Sequence, residues 1–153
     1  MRFLKKYWRA FRGSSAETEF PSIADEIEPT EPIARYIFSS SHYAATIGRV
    51  KPAAFMPPEN LQTSVFRIQG LTDNEVWSLG FRHVATPGRP SLKARADFIA
   101  ESVDDARLVL RFDNTPPRHT SIVGWPPSKD AQMSRAQVLA ADSTLNLVPA
   151  DTD

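Results

Sequence analysis

A chain of 153 residues with 41% hydrophobic side chains can hold one domain with a core of its own, with or without a tail. It has no cysteine, which excludes a disulfide framework, thiolate metal ligands and a cysteine nucleophile. Eighteen basic side chains balance eighteen acidic ones, so bulk charge names no partner, and no apolar run approaches the ~18 residues that span a bilayer.

In chain order, the first segment is the most periodic. Phe3, Leu4, Tyr7, Trp8 and Phe11 fall on one face of a helix, and Arg2, Lys5, Lys6, Arg9 and Arg12 on the other, with Gly13 as a stop. Residues 1–13 are therefore expected to be a basic amphipathic helix whose aromatic face binds a protein partner or folds back on its own domain; an anionic membrane surface is the less favoured alternative. Residues 14–32 carry six acids, no base and three prolines, and read as an acidic flexible linker. Residues 33–148 hold 13 basic and 10 acidic side chains and form the expected single domain, and 149–153 a disordered tail.

Within that domain Arg35–Phe38, Tyr43–Arg49 and Thr63–Gln69 are strand candidates, and Gly70 ends the third. Thr72-x-x-Glu75 is a capping box for a helix carrying Val76 and Leu79, which Gly80 stops or weakens. Thr86–Pro90 is a turn. Leu92–Glu101 and Arg107–Asp113 read as an antiparallel hairpin joined at Asp104-Asp105, since Leu108, Leu110 and Phe112 alternate with Val109, Arg111 and Asp113. Asp130–Ala141 has helix-forming composition, and Thr144–Val148 reads as a closing strand. Strands and helices without a βαβ rhythm point to an α+β fold, a small antiparallel sheet with two short helices preceded by the amphipathic helix and linker.

The segment Asp113–Lys129 concentrates chemistry. Four prolines brace it, and it carries Asp113, Asn114, Arg118, His119, Ser121, Trp125 and Lys129 between the end of a strand and the start of a helix. Helix N-termini attract anions. Two readings stand side by side. In the structural one, Asp113 and Asn114 make an Asx turn, His119 is a buried residue satisfied by a carbonyl and Trp125 plugs the core. In the functional one, His119 is a general acid or base with Asp113 beside it, Arg118, Lys129 and Arg95 hold phosphate, and Trp125 stacks a base. His42, His83 and His119 lie far apart with no paired spacing, and glycine-rich phosphate loops and the Gly-x-Ser-x-Gly elbow are absent, so no metal and no cofactor is expected.

The stretch Asp113-Asn114-x-Pro-Pro-Arg118-His119…Gly124-Trp125-Pro126-x-x-Lys129, with Val65-Phe66-Arg67-Ile68-x-Gly70-Leu71…Val76-Trp77-x-Leu79-Gly80, resembles the pattern of a group of small bacterial proteins. Arg111-Phe112-Asp113-Asn114-x-Pro, followed by His119 and Pro126, also resembles the TumE-type toxins of bacterial toxin–antitoxin pairs. This second resemblance covers under a fifth of the chain, which has Pro126-Pro127-Ser128-Lys129 where those toxins carry a histidine-rich run. It implies action on RNA or another phosphate-bearing ligand. The expected function is thus a ribonuclease-like toxin or defence component in the cytoplasm. The alternative is a non-enzymatic adaptor that binds a partner protein through Phe3, Leu4, Tyr7, Trp8 and Phe11.

Overall fold

In the computed structural model of the chain the described residues are 20–150. The expected basic helix, with Phe3, Leu4, Tyr7, Trp8 and Phe11, lies outside them, as do 14–19 and 151–153. Among the described residues eight strands form: β1 (Pro32–Ile37), β2 (Tyr43–Ala44), β3 (Arg49–Val50), β4 (Thr63–Arg67), β5 (Ala94–Ile99), β6 (Val109–Phe112), β7 (His119–Val123) and β8 (Thr144–Leu147). The helices are α1 (Asp73–His83), α2 (Glu101–Asp105) and α3 (Lys129–Asp142). Six strands make one sheet in the order β6-β7-β4-β1-β5-β8, with every neighbour antiparallel, and β2 and β3 form a separate ribbon. The α+β class stands, with an all-antiparallel sheet as its body.

Alternation along the strands assigns the two faces. Ile33, Ile37, Val65, Ala94, Ala96, Phe98 and Ile122 point to one side, where Val103 of α2, Ala136 and Leu139 of α3, and Phe55 close a core. Ala34, Tyr36 and Phe66 point to the other, beneath Val76, Trp77 and Leu79 of α1. The capping box forms as its spacing requires: Thr72 accepts from the Glu75 N–H, and Glu75 accepts from the Thr72 N–H. In α3, Ser128 caps the Ala131 N–H.

Gly80 neither stops nor interrupts α1, which runs on to His83. Its role is clearance. A Cβ there would stand 2.5 Å from Cε1 of Tyr36, whose ring lies under the helix and whose hydroxyl donates to the Val76 carbonyl. Gly80→Ala is therefore expected to lower stability by about 1–3 kcal/mol through overpacking, although alanine is the better helix former by about 1 kcal/mol. The urea midpoint reads the sign, and a raised midpoint would mean the Tyr36 ring moves aside freely.

The expected hairpin of Leu92–Glu101 with Arg107–Asp113 does not form. β5 pairs with β1 and β8, β6 pairs with β7, and three strands separate β5 from β6. The reason lies in the connection. Asp104-Asp105 is not a tight turn but the end of α2, whose Val103, with Ala106 just beyond, is buried in the core, so the chain crosses a face of the sheet before re-entering it. Tyr43–Arg49 is likewise not one strand. Its ends pair across a turn at Gly48, which takes the left-handed conformation.

Residues 20–31, expected as part of a flexible linker, pack as a strap against one end of the sheet. Arg67 donates to the carbonyls of Ala24 (2.6 Å) and Glu26 (3.1 Å), Arg118 donates to that of Pro21 (2.8 Å), and Ile27 rests on the core. Glu31 closes the strap with a bidentate pair to Arg67, in which Nη2 stands 2.7 Å from Oε1 and Nε donates to Oε2. An acidic segment stays against the domain because one of its acids answers a buried guanidinium.

Candidate functional site

The Asp113–Lys129 segment contains a strand. Asp113–Arg118 is a tight turn, with Asn114 and Arg118 at positive φ and a cis Thr115–Pro116 bond. Asp113 Oδ1 accepts from the Thr115 N–H (3.1 Å), and Asn114 Oδ1 accepts from the Arg118 N–H (2.8 Å). The chain then returns as β7 between β6 and β4. Proline bracing on both sides hides a strand inside what composition presents as a loop.

This pairing sets three side chains in line. His119 opposes Phe66, and Ser121 opposes Ser64, so His119, Ser64 and Ser121 share the face that α1 covers further along. Nδ1 of His119 stands 2.8 Å from Asp113 Oδ1, and its Nε2 stands 2.7 Å from Ser64 Oγ. A carboxylate only accepts, so Nδ1 carries the proton and Nε2 presents its lone pair to the Ser64 hydroxyl. The Phe66 ring meets the imidazole edge-on at 5.4 Å between centroids and shields one flank. The His119 side chain is 16% exposed and that of Asp113 49%.

Burial alone would raise the Asp113 pKa. The His119 and Thr115 N–H groups, with the charge of Arg111, outweigh it and hold the carboxyl below the usual aspartate range, ionised at neutral pH.

Arg111 extends the site. It opposes Ser121, which opposes Ser64, so the three form one cross-strand row on the same face. Two strand spacings place the Arg111 and Ser64 backbones about 10 Å apart, within reach of a long cationic side chain. Arg111, Val109 and Asp113 are exposed.

The structure separates the other residues the sequence singles out. Arg118 is 2% exposed, and its guanidinium donates to the carbonyls of Gln69 (2.6 Å), Pro21 and Arg67; burial first, then the neighbouring Arg67 charge, lower its pKa. Arg95 lies under α1, bound by Asp97 (3.1 Å) and Asp73 (2.7 Å) with its guanidinium 4.6 Å over Trp77. Trp125 is buried in the α3 core and donates to the Ile122 carbonyl (3.1 Å), so it plugs the core and has no ring free to stack a base. Lys129 is exposed at the start of α3, on the opposite side of the sheet from His119. The phosphate-holding set of Arg118, Arg95 and Lys129 thus does not converge on His119. Only His119 and Asp113 of the expected group meet, and both the Asx turn and the His–carboxylate pair are present.

Sequence reasoning missed Ser64 and Arg111. Arg111 was visible as the outward member of an alternating strand. Ser64 had no local signal, because it is 55 residues from His119. Among the described residues no group of three His, Asp or Glu side chains is placed to hold a metal ion, and no helix is long and apolar enough to cross a membrane. No protein-family model matches the chain, and no curated protein or solved structure matches it either.

Proposed function

We propose that the chain is a small hydrolase in which His119, oriented by Asp113, activates the Ser64 hydroxyl for attack on an ester or phosphoryl centre. The observation that carries this reading is the unbroken hydrogen-bonded chain Asp113–His119–Ser64, with the carboxylate on one ring nitrogen and the hydroxyl on the other. That is the order general-base activation of a serine requires. Ser64 Oγ forms the bond to the electrophile, and its proton passes to His119 Nε2. The departing group takes that proton, and water then releases the second product by the same route. Arg111, in the same cross-strand row as Ser64, is suited to answer the negative charge that develops.

The test is covalent. A fluorophosphonate probe is expected to modify Ser64, as peptide mass spectrometry reads, and to leave Ser64→Ala unmodified. Probe found on other serines with Ser64 untouched sinks the proposal. RNA as substrate is a second reading, favoured by the exposed Arg111 beside the Asp113–His119 pair. If the 2′-hydroxyl of the RNA were the nucleophile, cleavage of labelled RNA would vanish in His119→Ala and survive in Ser64→Ala.

A further inference from the structure

β6 is the last strand on its side of the sheet. Its hydrogen-bonding pattern decides which backbone groups face outward. The Asp113 N–H donates to the His119 carbonyl, which marks that pair as the hydrogen-bonded kind; alternation makes Arg111–Ser121 and Val109–Val123 the same kind. Leu110 and Phe112 therefore turn their N–H and C=O groups away from β7, and no hydrogen bond from another described residue meets them.

Those two residues line a cleft of about 650 Å³ that runs along the edge, between the strap at Asp25 and α2 at Asp104. Its volume lies in the range of ligand sites. Three carboxylates, Asp25, Asp104 and Asp113, line it against one cation, Arg111. An open strand edge is a template for a further strand unless something blunts it; this one carries no proline, and its one charged residue is Arg111. A second copy of the chain would bring the same carboxylates against these, so like charge disfavours edge-to-edge pairing.

We propose that the β6 edge is a docking site for an extended basic peptide segment of a partner protein, which adds antiparallel or parallel as a seventh strand. Main-chain bonds to Leu110 and Phe112 supply affinity, and alternate lysine or arginine side chains meet Asp25 and Asp104. The cleft shares Asp113 and Arg111 with the candidate site, but the docking contacts, the backbone of Leu110 and Phe112 with Asp25 and Asp104, do not involve Ser64 or His119.

The experiment uses the full chain with a fluorescein-labelled octapeptide of alternating lysine and threonine, and its aspartate-for-lysine counterpart. The lysine peptide is expected to raise fluorescence polarisation, the aspartate peptide not. Binding should slow amide exchange at Leu110 and Phe112 selectively. The exposed pair Asp25→Lys with Asp104→Lys should weaken it at least tenfold, and Ser64→Ala should leave it unchanged. Equal binding of both peptides, absence of binding at millimolar concentration, or unaltered exchange at Leu110 and Phe112 on binding would overturn the proposal. So would exchange at those two amides already slow without peptide, which would mean a second copy or another part of the chain covers the edge; sedimentation would tell which.

Discussion

Glu31→Gln is expected to destabilise the fold by about 3–5 kcal/mol, the range for removing one partner of a buried ion pair. The Arg67 and Glu31 side chains are 1% and 6% exposed, so water cannot replace the lost carboxylate. The Arg67 guanidinium also lies 4.4 Å over the Phe112 ring, with Arg118 near enough for each charge to oppose the other. Glu31 thus pairs directly with Arg67 and also favours the nearby Arg118 charge, and neutralising it leaves the buried Arg67 without its carboxylate. Local release should accompany the global loss. With the Glu31 anchor gone, the carbonyls of Ala24 and Glu26 hold the strap less well, and limited proteolysis should cut first within residues 20–31. Urea denaturation followed by tryptophan fluorescence gives the magnitude. The double change Glu31→Leu with Arg67→Met should cost much less than the single one, because apolar replacement removes the unpaired charge along with its partner. A single-mutant loss below about 1 kcal/mol would mean that solvent reaches Arg67 once the strap shifts.

That ion pair illustrates what the sequence can and cannot express. Local signals were legible: Thr72 and Glu75 announce α1, composition announces α3, and Thr144–Leu147 is found where a closing strand was expected. Partners distant in the chain were not. Nothing near Arg67 foretells Glu31, 36 residues earlier, so the acidic stretch reads as linker until the buried guanidinium is seen. Both faces of β5 are occupied, Ala94, Ala96 and Phe98 in one core and Arg95 with Asp97 under α1, so its own residues do not say which strands flank it. Arg95 and Arg118 looked like ligand-binding cations because residue type carries no information about burial. In the candidate site, Asp113 and His119 are readable from one segment seven residues long, whereas Ser64 enters only through the β4–β7 register. A slip of that register by one residue would turn the Ser64 side chain to the opposite face and break the relay.

The relay also predicts how its members fail together. His119→Ala is expected to slow covalent modification of Ser64 by about 10²–10⁴-fold, the usual span for loss of a general base. Asp113→Asn should slow it through a different physical route. An amide offers both a donor and an acceptor, so it can accept from Nδ1–H or present its own N–H to Nδ1. The second arrangement moves the imidazole proton to Nε2, where no lone pair remains for Ser64. Because both changes remove one function, the double variant should react about as slowly as His119→Ala alone. Arg111→Ala should slow the reaction independently and multiply with either, since it acts on the developing charge and not on the proton. Stability separates these effects from unfolding. Asp113 is half-exposed, so its pair with His119 should contribute less than about 1 kcal/mol to the fold, and urea midpoints of the variants should stay close to that of the parent chain. Rates that fall in proportion to lost stability, or that multiply for His119 and Asp113 as for unrelated sites, would assign the hydrogen-bonded chain to holding the β6–β7 turn in shape and leave Ser64 without an activating base.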